Sequence, residues 1–170
     1  GPVRLVIPGY YGVNNVKYLK RLALTTEESP AKIQQTGYRV RPVGEKGDPS
    51  QPSMYEMSVK SWITGPLMDA ATGKVQIHGV AMGGVSDLEK VEVSTDGGQS
   101  WTDAQFLGPD LGRYAWRPFV LITELSEGTQ TLASRATAKD GTSQPETFPP
   151  NERGYGNNGW RVHAVDVTVS

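Results

Sequence analysis

Val91-Glu92-Val93-Ser94-Thr95-Asp96-Gly97-Gly98-Gln99-Ser100-Trp101 is the stretch that decides the fold. Val91, Val93 and Thr95 alternate with Lys90, Glu92 and Ser94, the period-two pattern of a half-buried strand. Asp96-Gly97-Gly98-Gln99 then reads as a hairpin loop, returning through Trp101 to Phe106. The same alternation extends outward in both directions. Upstream, Tyr55, Met57, Val59 and Ile63 alternate with Glu56, Ser58 and Lys60, and Val75 and Ile77 with Lys74, Gln76 and His78. Downstream, Tyr114–Leu125 is another extended run, and Leu132, Ser134, Ala136 and Ala138 alternate with Arg135, Thr137 and Lys139 before the turn at Asp140-Gly141. Arg161–Val169 closes the series, with Val165, Val167 and Val169 on one face. About seven short strands separated by turns argue for an antiparallel β-sandwich of immunoglobulin-like build. Trp62, Trp101, Trp116 and Trp160 read as core or sheet-packing residues.

Composition agrees and narrows the chemistry. Twenty Gly and 12 Pro in 170 residues suit a turn-rich β protein better than a helical bundle. A net charge of -1 gives no bulk electrostatic case for nucleic acid or an anionic membrane, so any anion site must be local. With no cysteine the chain offers no disulfide, no thiolate ligand and no cysteine nucleophile. His78 and His163 lack ligand spacing, so no metal site is expected from this chain. No apolar run approaches the ~20 residues needed to cross a bilayer, and no signal-peptide pattern stands out. Asp140 and Glu146 read as solvated loop carboxylates rather than an acid–base pair.

Three segments follow from the pattern. Residues 1–24 form one unit: Val3–Ile7 reads as a buried strand interrupted by Arg4, Tyr10–Asn15 as a polar turn, and Val16–Leu24 as either helix or strand. Because the chain opens so close to a strand, it reads as the C-terminal part of something longer. Arg4, Lys17, Lys20 and Arg21 are either a solvated basic face or, for Arg4 and Lys17, the flanks of a phosphate-bearing ligand assisted by turn amides near Asn14 and Asn15. Residues 25–53, poor in apolar side chains, form a connecting segment wrapped over a surface. Residues 54–170 form the sandwich. Near its end, Asn151-Glu152-Arg153-Gly154-Tyr155-Gly156-Asn157-Asn158-Gly159-Trp160 sets a cation in a Gly/Asn-rich turn. Arg153 is either a surface arginine in a strand-connecting loop or a planar donor fork turned towards an oxyanion.

Gly1–Gly9, with Val16-Lys17-Tyr18-Leu19-Lys20-Arg21 after it, resembles the last part of the molybdenum-cofactor domain of the sulfite oxidase family. Gly79-Val80-Ala81 before Gly83-Gly84, Val91–Trp101, Tyr114-Ala115-Trp116-Arg117 and Asn151-Glu152-Arg153-Gly154 resemble that family's C-terminal, immunoglobulin-like dimerisation domain. The resemblance implies a molybdenum–molybdopterin cofactor, contacted here by Arg4, Asn15, Val16 and Lys17, and a substrate-pocket arginine at Arg153. It also implies a homodimer, an upstream cofactor domain carrying the molybdenum-ligating cysteine that this chain lacks, and a cytochrome c-type electron acceptor. Nitrate reductases share the scaffold but typically lack an arginine at the Arg153 position, which favours sulfite as substrate. The spacing of Gly159-Trp160-Arg161-Val162-His163 fits a bacterial branch, and with it a periplasmic location. The competing readings are a non-catalytic immunoglobulin-like interaction module, and a family member acting on nitrate or another sulfur compound.

Overall fold

A computed structural model describes residues 3–170 and divides them into two compact units. One takes in the chain up to Met57 together with Pro149–Asn157, and the other comprises Ser58–Phe148 and Asn158–Ser170. Among the described residues, the larger unit contains nine strands: β1 (Lys60–Gly65), β2 (Asp69–Ala70), β3 (Gly73–Met82), β4 (Leu88–Ser94), β5 (Thr102–Asp103), β6 (Gln105–Phe106), β7 (Arg117–Leu125), β8 (Gly128–Ala138) and β9 (Val165–Val169). They form two sheets, ordered β1-β3-β7-β6 and β2-β9-β8-β4-β5. This is the immunoglobulin-like sandwich expected from the alternation. Every pair is antiparallel except the two-residue pairing of β2 with β9.

The core is the inward half of each alternating strand. Ile77, Phe119, Val91, Leu132 and Val167 are fully buried, drawn from both sheets. Burying a side chain such as Phe119 contributes about 2–3 kcal/mol, so a handful of these positions fixes the register. The outward half of β4 and β8 is paired instead: Glu92 stands opposite Arg135 in register and receives two hydrogen bonds from its guanidinium, at 2.9 and 3.1 Å. That guanidinium also lies 4.2 Å from the Trp101 ring centroid.

Several element bounds differ from the sequence reading. The Asp96–Ser100 loop does close a β4–β5 hairpin, but β5 ends at Asp103 and the chain then crosses to the other sheet as β6. A single alternating run cannot reveal such a switch. Residues 54–59 lie ahead of β1, although Val59 is buried. Arg161–His163 is a 3-10 turn rather than the start of the last strand, with Trp160 buried just before it.

The smaller unit departs further from expectation. Val3 and Val6 are exposed, and residues 3–7 are extended without forming a strand. They join residues 16–19 by only two backbone hydrogen bonds, Leu5 N–H to Val16 O and Leu19 N–H to Val3 O, both 2.9 Å. Val16–Leu24 is neither helix nor strand, and Tyr18 takes a positive φ of 56°. The connector is organised by a buried arginine. Arg39 donates from Nε to Gln35 O, from Nη1 to Gln51 O and from Nη2 to Gln34 O, which fastens the one-turn helix Lys32–Gln35 to the return of the loop. A buried guanidinium is tolerable only when its donors are satisfied in this way.

Candidate functional site

The first cluster of expected site residues is built by the turn Tyr10–Asn15. Gly12–Asn14 forms a 3-10 turn, and Asn15 braces it: its Oδ1 accepts the Ile7 N–H at 2.7 Å and its Nδ2 donates to Tyr11 O at 3.2 Å. Asn14 ties the same turn to Met54 O at 2.7 Å. Arg4 is exposed and donates from Nε to Asn15 O at 3.2 Å, so the two residues meet directly. Val16, half exposed, lies beside them and accepts the Leu5 N–H. Among the described residues, the Nη atoms of Arg4 and the exposed ammonium of Lys17 make no hydrogen bond or ion pair.

The second cluster is the Arg153 turn, which belongs to the same compact unit. Asn151 closes it: Oδ1 accepts the N–H groups of Arg153 (3.3 Å) and Tyr155 (2.8 Å), while Nδ2 donates to Tyr155 O (2.9 Å). Such an Asx-type turn is what an Asn at this position favours. The Arg153 side chain is exposed and, among the described residues, has no hydrogen bond or ion pair of its own. Three residues on, a Cβ placed on Gly156 would lie 3.5 Å from the Tyr11 hydroxyl and 3.8 Å from the Met54 sulfur. The segment bearing Arg153 therefore runs beside the turn that Asn15 braces.

An apolar groove of about 410 Å³ opens in this unit, lined by residues including Ile7, Tyr10, Val13, Tyr38 and Met54. No charged side chain is among its lining residues. Asp140 and Glu146 are engaged separately, Asp140 accepting the Thr142 N–H at 2.9 Å and Glu146 pairing with Arg161 at 2.6 Å. Among the described residues no group of three or more His, Asp or Glu could hold a metal ion. Sequence reasoning missed Arg39, Glu152 and the Tyr38–Tyr155 stack (ring centroids 5.6 Å apart). Tyr38 and Tyr155 are far apart in sequence and no local pattern joins them.

The larger unit is thus an immunoglobulin-like sandwich, and the smaller unit carries the exposed cations Arg4, Lys17 and Arg153 on or beside two braced turns. The chain belongs to the Mo-co oxidoreductase dimerisation domain family, whose description matches residues 51–170, and residues 1–33 match the oxidoreductase molybdopterin binding domain. It is 32% identical over 172 residues to sulfite oxidase of Gallus gallus, covering 94% of this chain and 38% of that protein. It is 30% identical over 184 residues to the NADH nitrate reductase of Solanum lycopersicum, covering 94% of this chain and 20% of that protein. Among solved structures it is similar to the sulfane dehydrogenase SoxCD from Paracoccus pantotrophus, with a TM-score of 0.79 and 27% identity, covering 98% of this chain and 46% of that one. The chain thus spans less than half the length of these relatives. The cofactor implied by the family is molybdenum–molybdopterin.

Proposed function

We propose that the intact protein oxidises sulfite to sulfate, and that this chain supplies Arg153 to bind the substrate oxyanion and Arg4, Asn15, Val16 and Lys17 to hold one side of the cofactor. One observation carries the reading: the Arg153 guanidinium has no partner among the described residues, on a turn whose neighbour Gly156 lies against Tyr11 of the Asn15 turn. A rigid turn that spends its backbone and Asn151 amide on itself, yet leaves a planar cation unpaired, suits capture of a small anion.

The residues fit the implied cofactor by their donor chemistry. The free Nη atoms of Arg4 and the Lys17 ammonium are cationic donors suited to a terminal phosphate, and Asn15 fixes the backbone between them. When bound, the molybdenum cofactor would supply two-electron redox chemistry with oxygen transfer, and the cysteine that would ligate its metal is not provided by this cysteine-free chain. The net reaction takes sulfite and water to sulfate, two protons and two electrons, the electrons passing to a cytochrome c-type acceptor. Arg153 would orient the oxyanion and neutralise its charge, work that water would otherwise do with a reorganisation cost. The sandwich would supply the homodimer contacts, and the periplasm is the compartment this reading assigns.

A second reading, oxidation of sulfane sulfur, is favoured by the likeness to the sulfane dehydrogenase. The test is to purify the intact protein, measure its molybdenum and pterin content, and assay it with sulfite, thiosulfate and nitrate. Sulfite-dependent reduction of cytochrome c supports the proposal. A molybdenum-loaded protein inert towards sulfite but active on another substrate refutes it.

A further inference from the structure

Glu152 poses a chemical problem for its neighbour. A carboxylate next to a substrate-binding arginine would ordinarily pair with the guanidinium or repel an incoming oxyanion. Here it makes no ion pair with Arg153 and is engaged elsewhere. Its Oε2 accepts the Gly44 N–H at 2.7 Å, and its own backbone N–H donates to Arg41 O at 3.0 Å. The Arg41–Glu45 loop that receives it is itself tied down. Arg41 donates from Nε to Glu45 O at 2.8 Å and from Nη1 to Arg39 O at 3.2 Å, and Arg39 is the buried hub of the connector.

The other flank of the turn is fastened independently. Tyr155 stacks on Tyr38 with an interplanar angle of 23°, and Tyr38 holds a positive φ of 52°, a conformation that non-glycine residues rarely adopt. Arg153 thus stands between two anchors, each reaching the 38–45 segment. Asn151 fixes the turn internally, but an internally fixed turn can still swing as a body. The Glu152 and Tyr155 contacts relate it to the 38–45 segment of its unit.

We propose that Glu152 is a positioning residue for Arg153: by accepting the Gly44 N–H it fastens the 151–155 turn to the 41–45 loop and withholds its own carboxylate from the guanidinium. The inference rests on the reading of Arg153 as the oxyanion ligand and adds to it a second residue, whose action is indirect. Losing the anchor lets the cation wander and lets substrate bind less well, without altering the reacting atoms.

The experiment compares Glu152→Ala, Glu152→Gln, Tyr155→Leu and Arg153→Ala in the intact, cofactor-loaded enzyme. Sulfite kinetics are measured alongside amide hydrogen exchange at Gly44. Glu152→Ala should raise the sulfite KM about threefold to tenfold with kcat within about twofold, and should speed Gly44 exchange. Glu152→Gln keeps an acceptor oxygen at the same reach and should restore both. Tyr155→Leu, which spares every backbone contact of the turn, should raise KM in the same direction. An unchanged KM in Glu152→Ala despite faster Gly44 exchange overturns the positioning role, as does a loss confined to kcat. If Glu152→Ala is silent while Arg153→Ala raises KM, only this inference fails. If Arg153→Ala is itself silent, the oxyanion role fails and the inference falls with it.

Discussion

Gln144 lies 3% exposed in the larger unit, and its side-chain amide behaves as a substitute strand for the free edge of β1. Its Oε1 accepts the Ser61 N–H and the Ser61 hydroxyl, both at 2.8 Å, and the Ala136 N–H at 3.3 Å, while Nε2 donates to Ser61 O at 3.2 Å. Ser61 belongs to one sheet and Ala136 to the other, so a single buried amide bridges the sandwich. Replacing Gln144 by Ala orphans the Ser61 peptide group in a site closed to water. An unsatisfied buried donor costs about 1–3 kcal/mol and each of the three further lost bonds about 1 kcal/mol, giving about 4–6 kcal/mol in all. Gln144→Met loses the same hydrogen bonds but keeps most of the volume, so it isolates this hydrogen-bond cost, about 4–6 kcal/mol, from the cavity that Ala adds. Ser134→Ala removes only the 3.0 Å hydrogen bond to Ser61 Oγ and should cost about 1 kcal/mol. Urea unfolding followed by tryptophan fluorescence reads these differences as midpoint shifts at constant slope. A Gln144→Met protein no less stable than Ser134→Ala would refute the bridging role.

Three further outcomes follow from single contacts. Gly98 has φ 94° and a Cβ there would fall 2.3 Å from the Trp160 ring, so Gly98→Ala should cost about 3 kcal/mol; Gly128, at φ 112° with open space around it, should lose only about 1 kcal/mol on the same change, both read by thermal unfolding. The Asp96 carboxylate is held well below the usual range, first by the Ser100 hydroxyl and then by the Ser100 N–H and Ser94 hydroxyl, so its contribution is present above the unfolded pKa of about 3.9 and is lost as pH falls towards the folded value. Asp96→Asn should flatten the stability profile below pH ~4, and an unchanged profile contradicts the assignment. Arg39→Met removes the donors that fasten the connector to Gln34, Gln35 and Gln51, and limited trypsin digestion should then cut at Lys46 several-fold faster; equal rates count against a hub role.

The sandwich was legible in the sequence because strand alternation and core burial are the same fact: Val91, Ile77 and Val167 are apolar on the side that the other sheet covers. The Asp96 hairpin was legible for a local reason, since its carboxylate and glycines satisfy their own turn. What alternation does not encode is coverage. Val3 and Val6 carry the residue types of a buried strand, yet they lie exposed and make only two backbone hydrogen bonds to their neighbouring segment. Charge and turn patterns singled out Arg4, Lys17 and Arg153, and resemblance gave them roles, but neither could find Glu152 or Tyr38. Their roles depend on contacts across 108 and 117 positions respectively (Glu152 to Gly44, Tyr155 to Tyr38), which no local spacing records.

The central claim is that Arg153 binds the substrate oxyanion, and steady-state oxidation of sulfite by the intact enzyme and its Arg153→Ala variant, matched for molybdenum content, tests it most directly. Loss of one oxyanion donor should lower kcat/KM by about 10²-fold or more, with much of the change in KM. Equal kcat/KM for the two proteins would contradict the claim.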